Sequence, residues 1–454
     1  MTYIKLTNLS FSYKKDHYLL KNISLTIPAS FSLLIGPTGC GKSTLLKIIA
    51  GLYPKYDGFL QGKVDLQGHS YGMMFQNAGQ QFTMATPRQE IIFALENLQI
   101  NKQEYEKRLK KATTFTQISR LLNQKISTLS GGEKQRVALA VLIAMDIDIF
   151  LLDEPFASCD PETRKFLINK LAQLHQQGKA IIISDHVFDD YSQICDHVYQ
   201  MKDKTVQELT PTQRNLLFKK EPSLKHHFAL PTGKDKTLFQ LKQTTIRQSR
   251  PLLKTMDLNI YKNKNILITG ENGVGKTSLF KALTKMIPYE GSILYQDREI
   301  NKLKDRNYLK HVAQIFQNAD DLFLKVTVKD EIELSKKNRN SYFTDSVIDQ
   351  ALEDLELKSK LNQVVYSLSG GQKKKLQILL MLMGKHQVLL IDEPLSGLDQ
   401  QSIKEVIALM NRCQQSYQRS FIIISHQISA LAELCDYHLK FSDYKLEYTD
   451  EVKQ

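Results

Sequence analysis

The 454-residue chain has no apolar run approaching the roughly 18 residues that a membrane-spanning helix needs. Its most apolar stretches, VALAVLIAM at 137–145 and QILLMLM at 377–383, suffice only for buried helices. The N-terminal MTYIKLTNLSFSY alternates like a strand and lacks the apolar core of a secretory signal, so a cytosolic chain is expected. Its five cysteines, Cys40, Cys159, Cys195, Cys413 and Cys435, show neither metal-ligand spacing nor a disulfide pattern, which suits a reducing compartment. The net charge of +13 is not gathered into one block: short runs such as KKK at 373–375 and EKRLKK at 106–111 read as solvated helix faces. Nucleic acid and anionic lipid remain alternative uses for that charge.

What the chain does have is two versions of one sequence. GPTGCGKST at 36–44 answers GENGVGKTS at 270–278, and MMFQNAGQQF at 73–82 answers QIFQNADDLF at 314–323. LSGGE at 129–133 answers LSGGQ at 368–372, FLLDEP at 150–155 answers LLIDEP at 389–394, and IIISDH at 181–186 answers IIISH at 422–426. A period of roughly 240 residues means two copies of a domain, not a solenoid. The expected boundaries are a first domain at 1–205, a polar, proline-punctuated linker with one short helix at 206–236, and a second domain at 237–454. Within each copy, apolar β-branched runs end in a loop and precede a helix-like stretch, the pattern of an α/β fold with a parallel sheet covered by helices. The regions 83–128 and 324–367 read as helical insertions, with PRQEIIFALENL opening a helix on proline.

Both glycine-rich stretches match G-x-x-x-x-G-K-[ST] between an apolar strand and a helix. Such a loop converges backbone N–H groups on phosphate oxygens at a helix N-terminus. Nucleotide is therefore expected at Gly36, Pro37, Thr38, Gly39, Cys40, Gly41, Lys42, Ser43 and Thr44, and at Gly270, Glu271, Asn272, Gly273, Val274, Gly275, Lys276, Thr277 and Ser278. Lys42 and Lys276 would reach the β/γ-phosphates, while Ser43 and Thr277 would hold Mg²⁺ together with Asp153 and Asp392. Glu154 and Glu393, one residue further on, are placed to polarise an attacking water. His186 and His426 would bond the γ-phosphate and that water, and Gln76 and Gln317 would contact the metal or the water. Two adjacent glycines behind a serine, costing about 1 kcal/mol each, are a poor way to begin a helix and ask for another purpose.

Phosphate loop, FQN glutamine, LSGG signature, Asp-Glu pair, a following loop with Asp160 or Asp399, and a histidine occur in that order in each copy. In this the chain resembles the ATPase domain of ABC transporters, present twice: P-loop NTPase (RecA-like) domains, each with a parallel-sheet core, an antiparallel β subdomain and a helical insertion. The wording around the glutamine is similar to that of energy-coupling factor (ECF) and cobalt-type importers, although both copies replace the usual proline with Ala78 or Ala319. The resemblance implies ATP and Mg²⁺, and an intramolecular head-to-tail pairing of the two domains. In that pairing Ser369, Gly370 and Gly371 would serve the ATP on Lys42, and Ser130, Gly131 and Gly132 the ATP on Lys276. Asp160 and Asp399 would also line the nucleotide. An adenine-stacking aromatic is expected some two dozen residues before the loop, where Tyr13 stands in the first copy and Arg247 in the second.

The expected activity is ATP hydrolysis in an ECF-type importer of a vitamin, vitamin precursor or metal ion. Its partners would be a transmembrane coupling subunit and a membrane-embedded substrate-binding subunit, and its place the cytoplasmic face of the membrane. Glu90, Asp330, Glu331 and Glu333 are candidate contacts for the coupling subunit. The alternative is a soluble tandem ABC protein acting on the ribosome or nucleic acid; against it stand a linker of about 30 residues and the lack of any cysteine-rich module.

Overall fold

The computed structural model describes every residue except 1–2, 16, 77, 157–158, 160, 220–224, 248–250, 255–256, 272 and 454. Contacts divide the chain into two compact units, Met1–Lys220 and Glu221–Gln454.

Each unit is built on a six-stranded sheet. In the first the order is Tyr71–Met74, Ile149–Asp153, Ala180–Ser184, Phe31–Ile35, His197–Lys202 and Thr205–Glu208. The first five strands run parallel and the last is antiparallel. The second unit repeats this with Val312–Ile315, Val388–Asp392, Ser420–Ile424, Ile266–Thr269, Tyr437–Ser442 and Lys445–Thr449. Parallel strands covered on both faces must be apolar throughout. FSLLI, IFLLD, AIIIS, VLLID and SFIII are indeed buried at every position.

Beside each sheet lies an antiparallel one. Tyr3–Ser12 pairs with Tyr18–Pro28 and Phe59–Asp65, and Thr237–Arg247 pairs with Pro251–Lys254, Asp257–Tyr261 and Glu290–Tyr295. Both central strands carry a bulge at which Asn8 (φ 48°) and Gln243 (φ 46°) turn left-handed. Gly62 and Gly291 face these bulges, where a Cβ would come within 2.5 Å of the carbonyl oxygens of Asn8 and Gln243 respectively. The bulges therefore mark equivalent positions in the two units.

The insertions are helical. Pro87–Asn97 and Lys102–Phe115 pack with Gly131–Met145 around Ile91, Leu95, Leu109, Ala112, Val137 and Ala140. Val328–Lys336, Asp345–Asp354 and Gly370–Met383 are the counterparts. Glu90 and Glu331 are buried, and each accepts two backbone N–H groups of the loop before its helix: Thr83 and Met84 in one case, Leu324 and Lys325 in the other. They are internal staples, which corrects the expectation that they face a partner.

The stretch 206–236 is shared between the units. Thr205–Glu208 pairs with His197–Lys202, and Pro211–Leu217 is a helix begun by a Thr210–Gln213 capping box. Lys225–His227 pairs with Glu451–Lys453 near the C-terminus.

Candidate functional site

In each unit four adjacent parallel strands deliver their loops to one edge of the sheet, the crevice where open α/β sheets bind ligands. In the first unit Phe31–Ile35 leads to the glycine-rich loop, Ile149–Asp153 ends on the acidic pair, Ala180–Ser184 precedes His186, and Tyr71–Met74 precedes Gln76. Motifs far apart in sequence are neighbours because their strands are.

The glycine-rich loops are tight against the sheet: a Cβ on Gly36 would lie 2.7 Å from the Met201 carbonyl oxygen, and one on Gly270 2.4 Å from that of Phe441. Lys42 and Lys276 are buried and fold back over their loops. Lys42 Nζ donates to Gly36 O at 2.8 Å and Pro37 O at 3.1 Å; Lys276 Nζ donates to Gly270 O at 2.6 Å and Glu271 O at 2.9 Å. Helices Lys42–Ile49 and Lys276–Leu283 start at these lysines and aim their N-termini into the loop. Asn272 lies outside the described residues.

The acidic pairs meet the loops. Ser43 hydrogen-bonds Asp153, and Thr277 Oγ1 donates to Asp392 Oδ2 at 2.7 Å. Burial pushes both aspartates above the usual carboxylate range. Hydroxyl and carboxylate oxygens make a hard donor set that fits Mg²⁺. No group of three His, Cys, Asp or Glu converges among the described residues, so a cation here would share its coordination with phosphate and water. Glu154 (φ 44°) and Glu393 (φ 48°) both adopt the left-handed backbone region, a strained geometry recurring at the same place. Burial, and then the Asp392 charge, push Glu393 up to about 7.

The units differ around these glutamates. Glu154 is held between His186 Nε2, 2.8 Å from Oε1, and Gln76 Nε2, 2.7 Å from Oε2. In the second unit His426 Nε2 stands 3.7 Å from Glu393 Oε1, and Ser425 Oγ donates to Oε2 at 3.3 Å. The sheet register explains the change: Asp153 pairs with Ser184 and Asp392 with Ile424, so Asp185, not Ser184, is the counterpart of Ser425. Asp185 faces elsewhere. It binds Arg164 Nη1 at 2.9 Å and the Tyr191 hydroxyl at 2.6 Å, and accepts the backbone N–H of His186 at 2.7 Å. Burial opposes its charge, yet Arg164 holds it below the usual carboxylate range. Sequence reading missed this network, because IIISDH and IIISH look like a simple insertion. Following the aligned motifs, the second unit has Ile403 and Leu431 where the first has Arg164 and Tyr191.

The signature serines start their helices with capping boxes. Ser130 N donates to Glu133 Oε2 at 2.8 Å and Ser369 N to Gln372 Oε1 at 3.1 Å, and each serine Oγ caps the third residue's N–H at 3.3 Å. Gly131 and Gly370 lie exposed in the first turn, while Gly132 and Gly371 are buried.

Helix Gly370–Met383 also corrects the reading of KKK as a solvated face. Lys374 and Lys375 are buried. Lys375 Nζ lies 3.3 Å from Glu405, whereas Arg136, its counterpart, sits over the Phe166 ring. Lys373 Nζ reaches Asp320 at 2.8 Å. Burial pushes Lys374 down to about 8, against the opposing charges of Asp392 and Glu393.

Tyr13 is 41% exposed, its ring edge-on to Phe11 and Tyr53 and its hydroxyl 2.9 Å from Thr44 Oγ1, so it stands beside the phosphate-loop helix. Arg247 forms an exposed pair with Glu290 at 3.2 Å. Counting from the shared bulge, Arg247 matches Ser12, and the counterpart of Tyr13 is Gln248, which lies outside the described residues. Asp399 caps helix Gln400–Ser416 by accepting Ser402 N at 2.7 Å, and Asp160 lies outside the described residues.

Comparison with known proteins agrees with this geometry. The ABC transporter family matches residues 20–157 and 253–396, once in each unit. An ABC transporter ATP-binding protein of Treponema denticola, so named provisionally, is 31% identical, over 98% of this chain and 96% of its own. A Bacillus subtilis protein with the provisional name HMP/thiamine import ATP-binding protein YkoD is 27% identical, over 98% of this chain and 91% of its own. Among solved structures, the archaeal ribosome recycling factor aABCE1, in complex with stalk protein aP1, aligns with a TM-score of 0.62 at 19% identity, covering 98% and 90% of the two chains.

Proposed function

The chain belongs to the ABC transporter family, and we propose that it is the ATP-hydrolysing, energy-coupling subunit of an ECF-type importer that takes up a vitamin, a vitamin precursor or a metal ion. The observation that carries hydrolysis is the strained glutamate in each unit, flanked by a histidine and one residue beyond an aspartate that meets the phosphate-loop hydroxyl. Lys42 and Lys276 exchange the loop carbonyls for β/γ-phosphate oxygens. Ser43, Asp153 and Gln76, or Thr277, Asp392 and Gln317, would hold Mg²⁺, which would neutralise phosphate charge there. Glu154 and Glu393 orient and deprotonate the attacking water, and His186 and His426 donate to the γ-phosphate. Ser130, Gly131, Gly132, Ser369, Gly370 and Gly371 offer hydroxyl and N–H groups at helix starts to the ATP of the opposite domain in an intramolecular head-to-tail pairing. Fusion into one chain raises the effective concentration of that partner.

Membrane coupling draws support from the similarity to YkoD and from a surface feature. No described helix is long and apolar enough to cross a membrane, so the span would belong to separate subunits. At the insertion of the second unit, Leu324 (80% exposed), Val326, Val364 and Tyr366 form an exposed apolar lip where the loop after Gln317 meets the strand bridge Thr327–Val364. Apolar side chains so exposed suit a protein partner. The likeness to the recycling factor sustains a second reading, a soluble factor acting on ribosomes. Affinity purification from detergent-solubilised membranes decides: integral membrane subunits co-purify under the first reading, and ribosomes co-sediment under the second.

A further inference from the structure

The first turns of helix Gly370–Met383 carry a buried cation that the catalytic scheme above does not use. Lys374 is 4% exposed, and its Nζ donates to two carbonyl oxygens of the glutamine loop, Phe316 O at 3.3 Å and Gln317 O at 3.1 Å. One helical turn on, fully buried Gln377 donates its Nε2 to Phe316 O at 3.0 Å. Two side chains on one helix face thus hold the two carbonyls that flank the Gln317 α-carbon. A buried ammonium is costly unless its donors are used and a negative charge is near. Here two carbonyls take two of its three donors, and Asp392 and Glu393 lie close enough to favour its charge.

The first unit is built otherwise. By the aligned signature motifs, Gln135 and Ala138 occupy the positions of Lys374 and Gln377. Alanine has no donor, and Gln135 Oε1 accepts the Cys159 thiol at 2.6 Å. Gln76 is instead tied through its side chain to Glu154.

We propose that Lys374 is a positioning residue which, with Gln377, clamps the glutamine loop of the second unit to its signature helix and so sets Gln317 for hydrolysis at Glu393. Among the described residues of the first unit no signature-helix side chain is seen to hold this loop; Gln81 Oε1 accepts the Phe75 N–H and Gln76 is bonded to the glutamate itself. The inference rests on the assignment of Glu154 and Glu393 as bases, and the experiment separates the two.

Steady-state ATP hydrolysis is measured on the full chain carrying Glu154→Gln, so that turnover runs on Glu393. Adding Lys374→Met removes both of these hydrogen bonds at similar volume. Expected is a fall in kcat of about tenfold or more with the ATP KM within about twofold, since displaced catalytic geometry acts on the chemical step. The thermal midpoint stays level or rises, because an apolar side chain replaces a buried charge. Lys374→Gln, whose shorter, uncharged side chain keeps an amide NH₂, falls between Met and the parent. A purely structural lysine would shift the midpoint and leave kcat alone. Parental kcat in either variant overturns the clamp, and if Lys374→Met does not fold, Lys374→Gln carries the decision. If the Glu154→Gln, Glu393→Gln double variant still turns over while Lys374→Met lowers the rate, the base assignment fails and the clamp stands.

Discussion

His186 Nε2 lies 2.8 Å from Glu154 Oε1, whereas His426 Nε2 stands 3.7 Å from Glu393 Oε1. One repeat thus holds its glutamate through histidine and Gln76, the other through Ser425. Replacing both glutamates by glutamine tests their shared role. Hydrolysis should fall by about 10²–10⁴-fold with ATP binding retained, as measured by phosphate release and by nucleotide titration. Near-normal turnover would remove both from the mechanism.

The raised Glu393 predicts a pH dependence. A base works deprotonated, so in Glu154→Gln the rate should climb as pH rises through about 7 and fall below it. The sign for stability is opposite. With the folded group at about 7 and the ordinary value at 4.5, the native state binds more protons than the unfolded one between those pH values, so stability drops as pH rises across that window. A rate profile flat from pH 6 to 8 (a window of about one unit either side of that value) would count against Glu393 as the base.

Tyr13 should matter for nucleotide binding on Lys42. In a Lys276→Ala background, Tyr13→Ala should weaken binding of a fluorescent ATP analogue by about 1–3 kcal/mol, the worth of a base–aromatic stack. Tyr13→Phe keeps the ring and loses only the bond to Thr44, so it should stay close to the parent. Equal losses in both variants would make the hydroxyl, not the ring, the useful part.

Arg164→Leu should destabilise the first unit by about 3–5 kcal/mol, because it leaves Asp185 charged and buried without its partner. Urea denaturation followed by fluorescence or circular dichroism reads the loss. Adding Asp185→Ser, the residue found at 425, should recover most of it.

Leu324→Asp with Val326→Asp should abolish association with solubilised membrane subunits while leaving the ATPase of the isolated chain within about twofold, since exposed substitutions rarely disturb folding. Retained association would move the docking surface elsewhere.

The doubled fold and the tight glycine-rich turns at its strand ends were legible in the sequence because they depend on local signals: apolar strands, a glycine at a forced φ, a lysine at fixed spacing. Four adjacent strand ends then bring Gln76, Glu154, His186 and Lys42 to one edge. What escaped the sequence was decided by register and burial. A single extra residue after the bulge separates Tyr13 from Arg247. Asp185 takes the place of Ser425 only because the strand ends one residue later than the motif suggests. A basic run such as KKK reads as a solvated surface, yet a helix points its second lysine inward. Glu90 and Glu331 look like free surface acids, and only the folded loop supplies the N–H groups that occupy them.

The Asp185–Arg164 pair also bears on how the two halves can evolve. A short tract of DNA copied from the first repeat into the second would put an aspartate at position 425 opposite Ile403, burying an unpartnered charge; the reverse copy would strand Arg164. Either exchange needs two distant segments to change together. At this place the halves are not interchangeable, because the two members of one buried ion pair would have to move together.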